Sequence, residues 1–459
     1  LAVVAVRDEV RDERDEHDET FTGEEWHMTT RNDDDDTGGL SDLRAQADRG
    51  LCRLGTRSVR YVRVQVDAAD AISGRTRSPV HLGLALDRSG SMNGPRIELA
   101  RLGVIEALRL LTPRDAFAVV TFDDHVEPVV RPAQAATPDA VRAAITAVSR
   151  IEARGGTALH AGWLSAAEAV SERPPGALGR CLLLTDGEAN HGLTDPHLLA
   201  AAAGQLAGQH GVATSTIGLG ESYNDVLLRM MADASDGHAY HVTSPQDLPS
   251  VLAQEVDEAL SVVARSVELQ VRPSEGVRVE ALGRFRSSWK GTYLGVSLGA
   301  LVARQRLEIV LRVTLPAAPV TDAPSVEITA TAEGEPCLVA PVLTAWRFAS
   351  HIENDKQPRN REVDRAVATL YASKARQDSA DLHPRDREGA VAMMLATAAR
   401  IEQYANGNPE LLNLVAALRS EAETLKDRMD EMTRKQLTMS AYSSLKGRDP
   451  HGKSVRRPT

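Results

Sequence analysis

The stretch His81-Leu82-Gly83-Leu84-Ala85-Leu86-Asp87-Arg88-Ser89-Gly90-Ser91 decides how the rest of this chain is read. A continuous apolar run bounded by Gly and Ser reads as a strand buried on both faces. Asp87 then sits where that strand leaves its sheet, and Ser89 and Ser91 lie on the loop that follows. Pro95 opens an amphipathic helix running through Ile97, Leu99, Leu102 and Ile105, with proline in the first turn. In open α/β sheets, ligands collect beyond the carboxyl ends of such strands. One carboxylate and two hydroxyls at alternate positions are oxygen ligands suited to a hard divalent cation.

Asp-x-Ser-x-Ser alone is a weak signal, because short Asp and Ser patterns on loops usually make turns. Two later pieces strengthen it. Gly155-Gly156-Thr157 precedes a helical stretch from Ala158 to Val170, and Thr185-Asp186-Gly187 closes a second buried run, Cys181-Leu182-Leu183-Leu184. In this order the three pieces resemble the metal-ion-dependent adhesion site of the von Willebrand factor A family, in a bacterial intracellular form. The resemblance covers roughly Ser78 to Val263, and none of its five metal positions departs from the pattern. It implies a cation, Mg²⁺ or else Mn²⁺ or Ca²⁺, held by Asp87, Ser89, Ser91, Thr157 and Asp186. The serines and the threonine would bind it directly, and the aspartates mostly through water.

Around this site the alternation of strand and helix implies an α/β domain with a doubly wound, mostly parallel sheet over residues 78–263. Ala116 to Phe122 reads as a strand, with Val126 to Val130 as an antiparallel edge beside it. Further strands are expected to end at Asp186, over Val212 to Leu219 and over His238 to Val242, with a closing helix from Pro245 to Val263. Two flanking segments have a different period. Arg57 to Val66 alternates polar and apolar residues, as do Val267–Val271, Val277–Glu280, Leu307–Val313 and Val326–Ala330. That pattern predicts short antiparallel strands with one wet face. Residues 57–77 are therefore expected to join the all-β, sandwich-like unit of residues 264–350, building it from both sides of the α/β domain. Inter-α-trypsin-inhibitor heavy chains are similar in this layout.

Residues 351–445 read as helical. Val391, Met394, Ala398, Ile401 and Ala405 recur at spacings of three and four, Asn406-Gly407-Asn408-Pro409 interrupts, and Leu411, Val415, Leu418, Ala422, Leu425, Met429 and Met432 resume. Two such stripes pack as an antiparallel hairpin within one chain, ahead of a dimer seam. Residues 446–459 carry five Lys or Arg against one acidic residue and are expected to fray.

The net charge of −11 over 459 residues is concentrated at the start. Residues 1–36 hold 14 Asp or Glu and 4 Arg, leaving the remainder at −1. Residues 1–56 are accordingly expected to be an acidic, disordered head. The first methionine is Met28, so residues 1–27 could precede the native start. The balanced body implies no nucleic acid and no anionic membrane as partner. Leu1 to Val6 is too short for a signal peptide or membrane span. Three scattered cysteines, Cys52, Cys181 and Cys337, form neither a metal spacing nor a disulfide framework, which points to a reducing, cytoplasmic setting.

Neutral hydroxyls leave a Mg²⁺ short of negative charge, so its octahedron would still want an anionic oxygen, which a partner's Asp or Glu could supply. The expected function is a divalent-cation-dependent protein-binding module, acting as an intracellular scaffold or adaptor, and not an enzyme. One alternative is a non-catalytic subunit partnering a separate AAA+ ATPase; another is a metal-assisted hydrolase. Gly94-Pro95-Arg96-Ile97 has no Walker pattern, and Gly218-Leu219-Gly220-Glu221 lacks the third glycine of a dinucleotide loop. His238 and His241 should face opposite sides of a strand, and no pattern places a Ser-His-Asp triad among the 13 histidines. Asp123 and Asp124 read as a turn, and Glu188, Asn190 and His191 as the rim of the cation site.

Overall fold

The computed structural model describes residues 39–71, 77–317 and 323–458. Three strands come first: β1 (Leu40–Ala47), β2 (Leu51–Arg53) and β3 (Ser58–Ala68). The α/β domain follows as β4 (Val80–Asp87), α1 (Pro95–Arg109), β5 (Ala116–Phe122), β6 (Val126–Ala135), α2 (Pro138–Val148), α3 (Leu159–Ala169), β7 (Leu178–Thr185), α4 (Pro196–His210), β8 (Val212–Leu219), α5 (Asp225–Ala234), β9 (Ala239–Val242) and α6 (Leu248–Leu260). Its six strands run in the order β6-β5-β4-β7-β8-β9, all parallel except β6 at the edge. Successive strands move outward on either side of β4, so the order reverses between β4 and β7. That reversal is where open α/β sheets bind ligands.

The composition of β4 explains how its two faces are covered. Leu82, Leu84 and Leu86 point into one core with Val104 of α1, Val148 of α2 and Leu252 of α6. Ala85 points into the other, with Trp163 of α3, Leu199 of α4 and Met231 of α5. Gly83 also lies on the α3 side, where a Cβ would come 2.5 Å from the Ala166 carbonyl oxygen. Small residues on that face let α3 lie close to the sheet and so fix the loop leading into it.

The β unit comprises β10 (Val262–Pro273), β11 (Arg278–Leu282), β12 (Ser287–Lys290), β13 (Tyr293–Val302), β14 (Arg306–Leu315), β15 (Ser325–Ala332), β16 (Glu335–Pro336), β17 (Val342–Ala345) and β18 (Arg347–Ala349). One antiparallel sheet has the order β1-β3-β14-β11 and the other β12-β13-β10-β15-β16, with β17 also on β15. Val62, Val64 and Val66 of β3 share one core with Leu269 and Val271 of β10 and Ile309 and Leu311 of β14. Strands from before and after the α/β domain thus pair directly, Ile309 opposite Val64 and Leu307 opposite Val66.

The helices α7 (His351–Lys356), α8 (Arg361–Leu382), α9 (Arg387–Ala405), α10 (Pro409–Thr424) and α11 (Glu431–Leu445) complete the chain. Ala390, Met394, Ala398 and Ile401 of α9 bury against Leu411, Val415 and Leu418 of α10 and Ala372 of α8. The stripe does not continue in one helix to Met432, because α10 stops at Thr424 and α11 starts at Glu431 with Asp430 capping it. No helix among the described residues is long and apolar enough to cross a membrane.

Two sequence boundaries need correcting. The acidic head is expected to reach residue 56, yet β1 and β2 lie within that span; residues 1–38 fall outside the described structure. The run of charge stops at Asp36, and Leu40 and Leu43 just beyond it are buried. The basic tail is docked where fraying was expected. Its Val455 carbonyl accepts from Arg306 N at 2.8 Å, Arg457 N donates to the Arg304 carbonyl at 2.8 Å, and the Arg448 guanidinium pairs with the buried Glu258.

Candidate metal centre

Three loops, those after β4 and β7 and the one between α2 and α3, bring their oxygens together at the β4/β7 reversal. Asp87, at the last position of β4, accepts from Ser89 N on Oδ1 at 2.7 Å and from the Thr185 hydroxyl on Oδ2 at 2.5 Å. The Ser89 and Ser91 hydroxyls lie 3.1 Å apart, and Ser91 donates to Asp186 Oδ1 at 2.6 Å. Thr157 arrives from the loop before α3. A Cβ on Gly187 would sit 3.5 Å from Thr157 Oγ1 and 3.7 Å from Ser91 Oγ, so hydroxyls from two loops face the same small space. Asp87, Ser89, Thr157 and Asp186 are buried and Ser91 is exposed, which sets the mouth of the cluster at Ser91. Two carboxylates and three hydroxyls, all oxygen, fit a hard divalent cation.

The loop before α3 is held from several sides. Gly90 N donates to the Gly155 carbonyl at 3.0 Å, Arg154 N to the Arg88 carbonyl at 2.7 Å, and Ala158 N to the Asp123 carbonyl at 2.7 Å. Thr157 N donates to Asn190 Oδ1 at 2.9 Å. The pair Gly155-Gly156 leaves room for the Asp124 carboxylate, whose oxygens lie 2.6 and 2.5 Å from where the two Cβ atoms would be. Asp124 in turn meets His191 Nε2 at 3.0 Å. Beneath the loop, Asp123 pairs with Arg88 at 2.9 Å and Arg154 at 2.8 Å, and both arginines reach Glu127.

Burial pushes the Asp87 carboxyl up to about 6; the Asp186 charge adds to this, while hydrogen bonds from Thr185 and Ser89 oppose it. Asp186 is shielded differently. Arg96, on the first turn of α1, donates to Asp186 Oδ2 at 2.6 Å and to the Ser91 carbonyl at 3.1 Å.

Sequence reasoning named the five oxygen donors and missed what steadies them. From sequence, Thr185 enters only in the tripeptide that closes the strand, Arg96 only in a stretch without a Walker pattern, and Arg88 is given no role. Asp123 and Asp124 do make the turn, His125 N donating to Asp123 Oδ1 at 2.8 Å, but they also bind the loop that carries Thr157. Position within a motif could have flagged Arg88 and Thr185, and Pro95 opening a helix toward the site could have flagged Arg96. His238 and His241 take partners on opposite sides of β9, Glu255 for one and Tyr223 for the other.

The von Willebrand factor type A domain model matches residues 81–254, which include all five oxygen donors. The chain carries a von Willebrand factor type A domain. An uncharacterized protein of Synechocystis is 26% identical over 371 residues, covering 77% of this chain and 86% of its own length. Human inter-alpha-trypsin inhibitor heavy chain H4 is 27% identical over 237 residues; these are 50% of this chain but only 25% of that one. The solved structure of a von Willebrand factor type A protein from Catenulispora acidiphila superposes with a TM-score of 0.69 at 18% identity, covering 91% of this chain and 98% of that one. Its likeness is one of fold, and it extends beyond the A domain into the flanking β unit and helices.

Proposed function

We propose that the A domain is a divalent-cation-dependent protein-binding module in which Asp87, Ser89, Ser91, Thr157 and Asp186 hold the cation and a partner's Asp or Glu completes its coordination. When bound, the cation would supply an electrophilic centre for that carboxylate. The observation that carries the reading is the meeting of three loops, two at strand ends and one between α2 and α3, at one set of oxygens, with Ser91 at the mouth. The parallel sheet holds Asp87 and Asp186 rigid, and the N-terminus of α1 adds positive potential nearby. A binding role is favoured over catalysis because the charged groups flanking the oxygens are already engaged with one another. Asp123 is paired with Arg88 and Arg154, and Asp124 with His191.

We read the chain as a scaffold or adaptor of the cytoplasm. Cys52 and Cys181 are buried free thiols, which suits a reducing compartment. The test is a pulldown from native lysate in Mg²⁺, eluted with EDTA, alongside Asp186→Ala. A partner that binds in Mg²⁺, leaves on chelation and is lost with the variant supports the reading. Retention of the partner by Asp186→Ala with unchanged EDTA sensitivity defeats it. Removing Asp186 should leave the core intact in EDTA, since the stability of β7 resides in Leu182 to Leu184.

A further inference from the structure

Arg96 enters the oxygen cluster from α1, outside the five-position pattern. Its Nη1 reaches Asp186 Oδ2 at 2.6 Å and the Ser91 carbonyl at 3.1 Å. Its Nη2 lies 3.3 Å from where a Cβ on Gly220 would be, at a residue whose φ is +70°. The loops after β4, β7 and β8 therefore hold one guanidinium between them, and glycine at 220 leaves it the space. Both oxygens of Asp186 are taken, Oδ1 by the Ser91 hydroxyl and Oδ2 by Arg96. Asp186 is fully buried, whereas the Arg96 side chain is 37% exposed and can turn outward.

These contacts set two positive charges in competition. A divalent cation held by the five oxygens needs the Asp186 carboxylate that Arg96 already neutralises. Even at the dielectric of water, a unit charge about 5 Å from a divalent ion weakens its binding roughly tenfold. A guanidinium released at the mouth is also a planar, two-pronged donor matched to a carboxylate. We propose that Arg96 is a cationic latch: it holds Asp186 in the cation-free protein, competes with the cation for that carboxylate, and once displaced contacts the entering acidic side chain. This rests on the cation-site reading above.

The experiment uses the full chain with Mn²⁺ alone as probe, titrated by electron paramagnetic resonance, for wild type, Arg96→Met, Arg96→Lys and Asp186→Ala. A second titration adds acetate at saturating Mn²⁺. Arg96→Met should bind Mn²⁺ about tenfold tighter and acetate several-fold more weakly, with Arg96→Lys between it and wild type. A purely structural role for Arg96 would weaken both. Unchanged or weaker Mn²⁺ binding by Arg96→Met, with an unaltered melt in EDTA, overturns the latch and leaves the cation site standing. Tighter Mn²⁺ with unchanged acetate overturns the partner-facing half. Absence of Mn²⁺ binding in all three position-96 proteins, or wild-type binding by Asp186→Ala, removes the cation site and the latch together.

Discussion

The Thr185 hydroxyl shows how much one uncounted side chain can matter at this site. It donates to Asp87 Oδ2 at 2.5 Å inside the fold, where water cannot replace it. Thr185→Val keeps the shape and deletes the donor, leaving a buried carboxylate oxygen short of a partner. The expected cost is about 1–3 kcal/mol of stability in EDTA. Mn²⁺ affinity should fall ~10–100-fold, as for other groups that orient a ligand from behind. An electron paramagnetic resonance titration beside a thermal melt checks both; loss of stability with full Mn²⁺ affinity would make Thr185 merely structural. His241 offers a pH-dependent test. The Tyr223 hydroxyl lies 2.9 Å from its Nδ1, while Nε2 is buried without a partner. Burial, then the charge of Lys435, lowers its pKa to about 4; Arg434 acts in the same sense and Asp225 against it. Between pH 6.5 and 4 the unfolded chain takes a proton that the folded chain refuses, so stability is full above that window and is lost as pH falls through it. His81, His160 and His238 are shifted the same way by burial. The thermal midpoint should therefore fall from pH 7.5 to pH 5, and less steeply in His241→Gln. An identical fall in the two proteins would discount His241.

At the level of elements, Gly83 decides how close α3 can come to β4. A Cβ there would meet the Ala166 backbone oxygen at 2.5 Å, a contact that no rotamer change can relieve. Gly83→Ala should cost about 1–3 kcal/mol and, by pushing α3 outward, draw Thr157 away from Ser91 and weaken Mn²⁺ binding. Gly208→Ala is the control, since nothing lies within 4 Å of its Cβ on the exposed face of α4. That change should stabilise by up to ~1 kcal/mol through helix propensity. Equal melts for the two variants would show that α3 does not depend on the contact. The strands that could be read from sequence are those whose pattern is local. Leu182 to Leu184 is continuous because both faces are covered by apolar groups, whereas Tyr61 to Val66 alternates in type; the wet face expected there is in fact buried, with Arg63 bonded to Gln65 and Glu362 and Gln65 to Asp67. The oxygen donors were readable for a similar reason, each lying within four residues of a strand end or helix start. Thr185 and Arg96 sit at positions the sequence marks, beside Asp186 and after Pro95, but what each one bonds depends on which loops the fold brings beside it. β12 and β17 are short and largely exposed, and their side chains display no period to detect.

Across the whole molecule, the tail ties the A domain to the β unit through buried charge. Arg448 pairs with Glu258 of α6, and Ser454 N donates to Glu258 Oε1 at 3.1 Å. Beside them, His238 Nδ1 lies 2.9 Å and the Tyr240 hydroxyl 2.5 Å from Glu255 Oε1. His238, Glu255 and Glu258 bring ligand atoms within 4.8 Å of one another, an arrangement that elsewhere could hold a metal. Here the guanidinium of Arg448 already supplies the positive charge. Sequence could not show this, because Arg448 and Glu258 are 190 positions apart and a basic run at a terminus reads as solvated. The side chains of both partners are more than nine-tenths buried, so Arg448→Met would leave Glu258 charged and uncompensated. Breaking one side of such a pair typically costs about 3–5 kcal/mol, whereas replacing both sides can be close to neutral. Arg448→Met should therefore lower the thermal midpoint sharply and open residues 446–458 to protease. The double variant Arg448→Met with Glu258→Gln should recover part of the loss, since a neutral amide no longer demands a counterion. The comparison is made by melts and limited proteolysis of both proteins in EDTA, which keeps the distant oxygen cluster out of the measurement. If the single and double variants melt together, the tail is held by its backbone bonds to Arg304 and Arg306 and not by the buried ion pair.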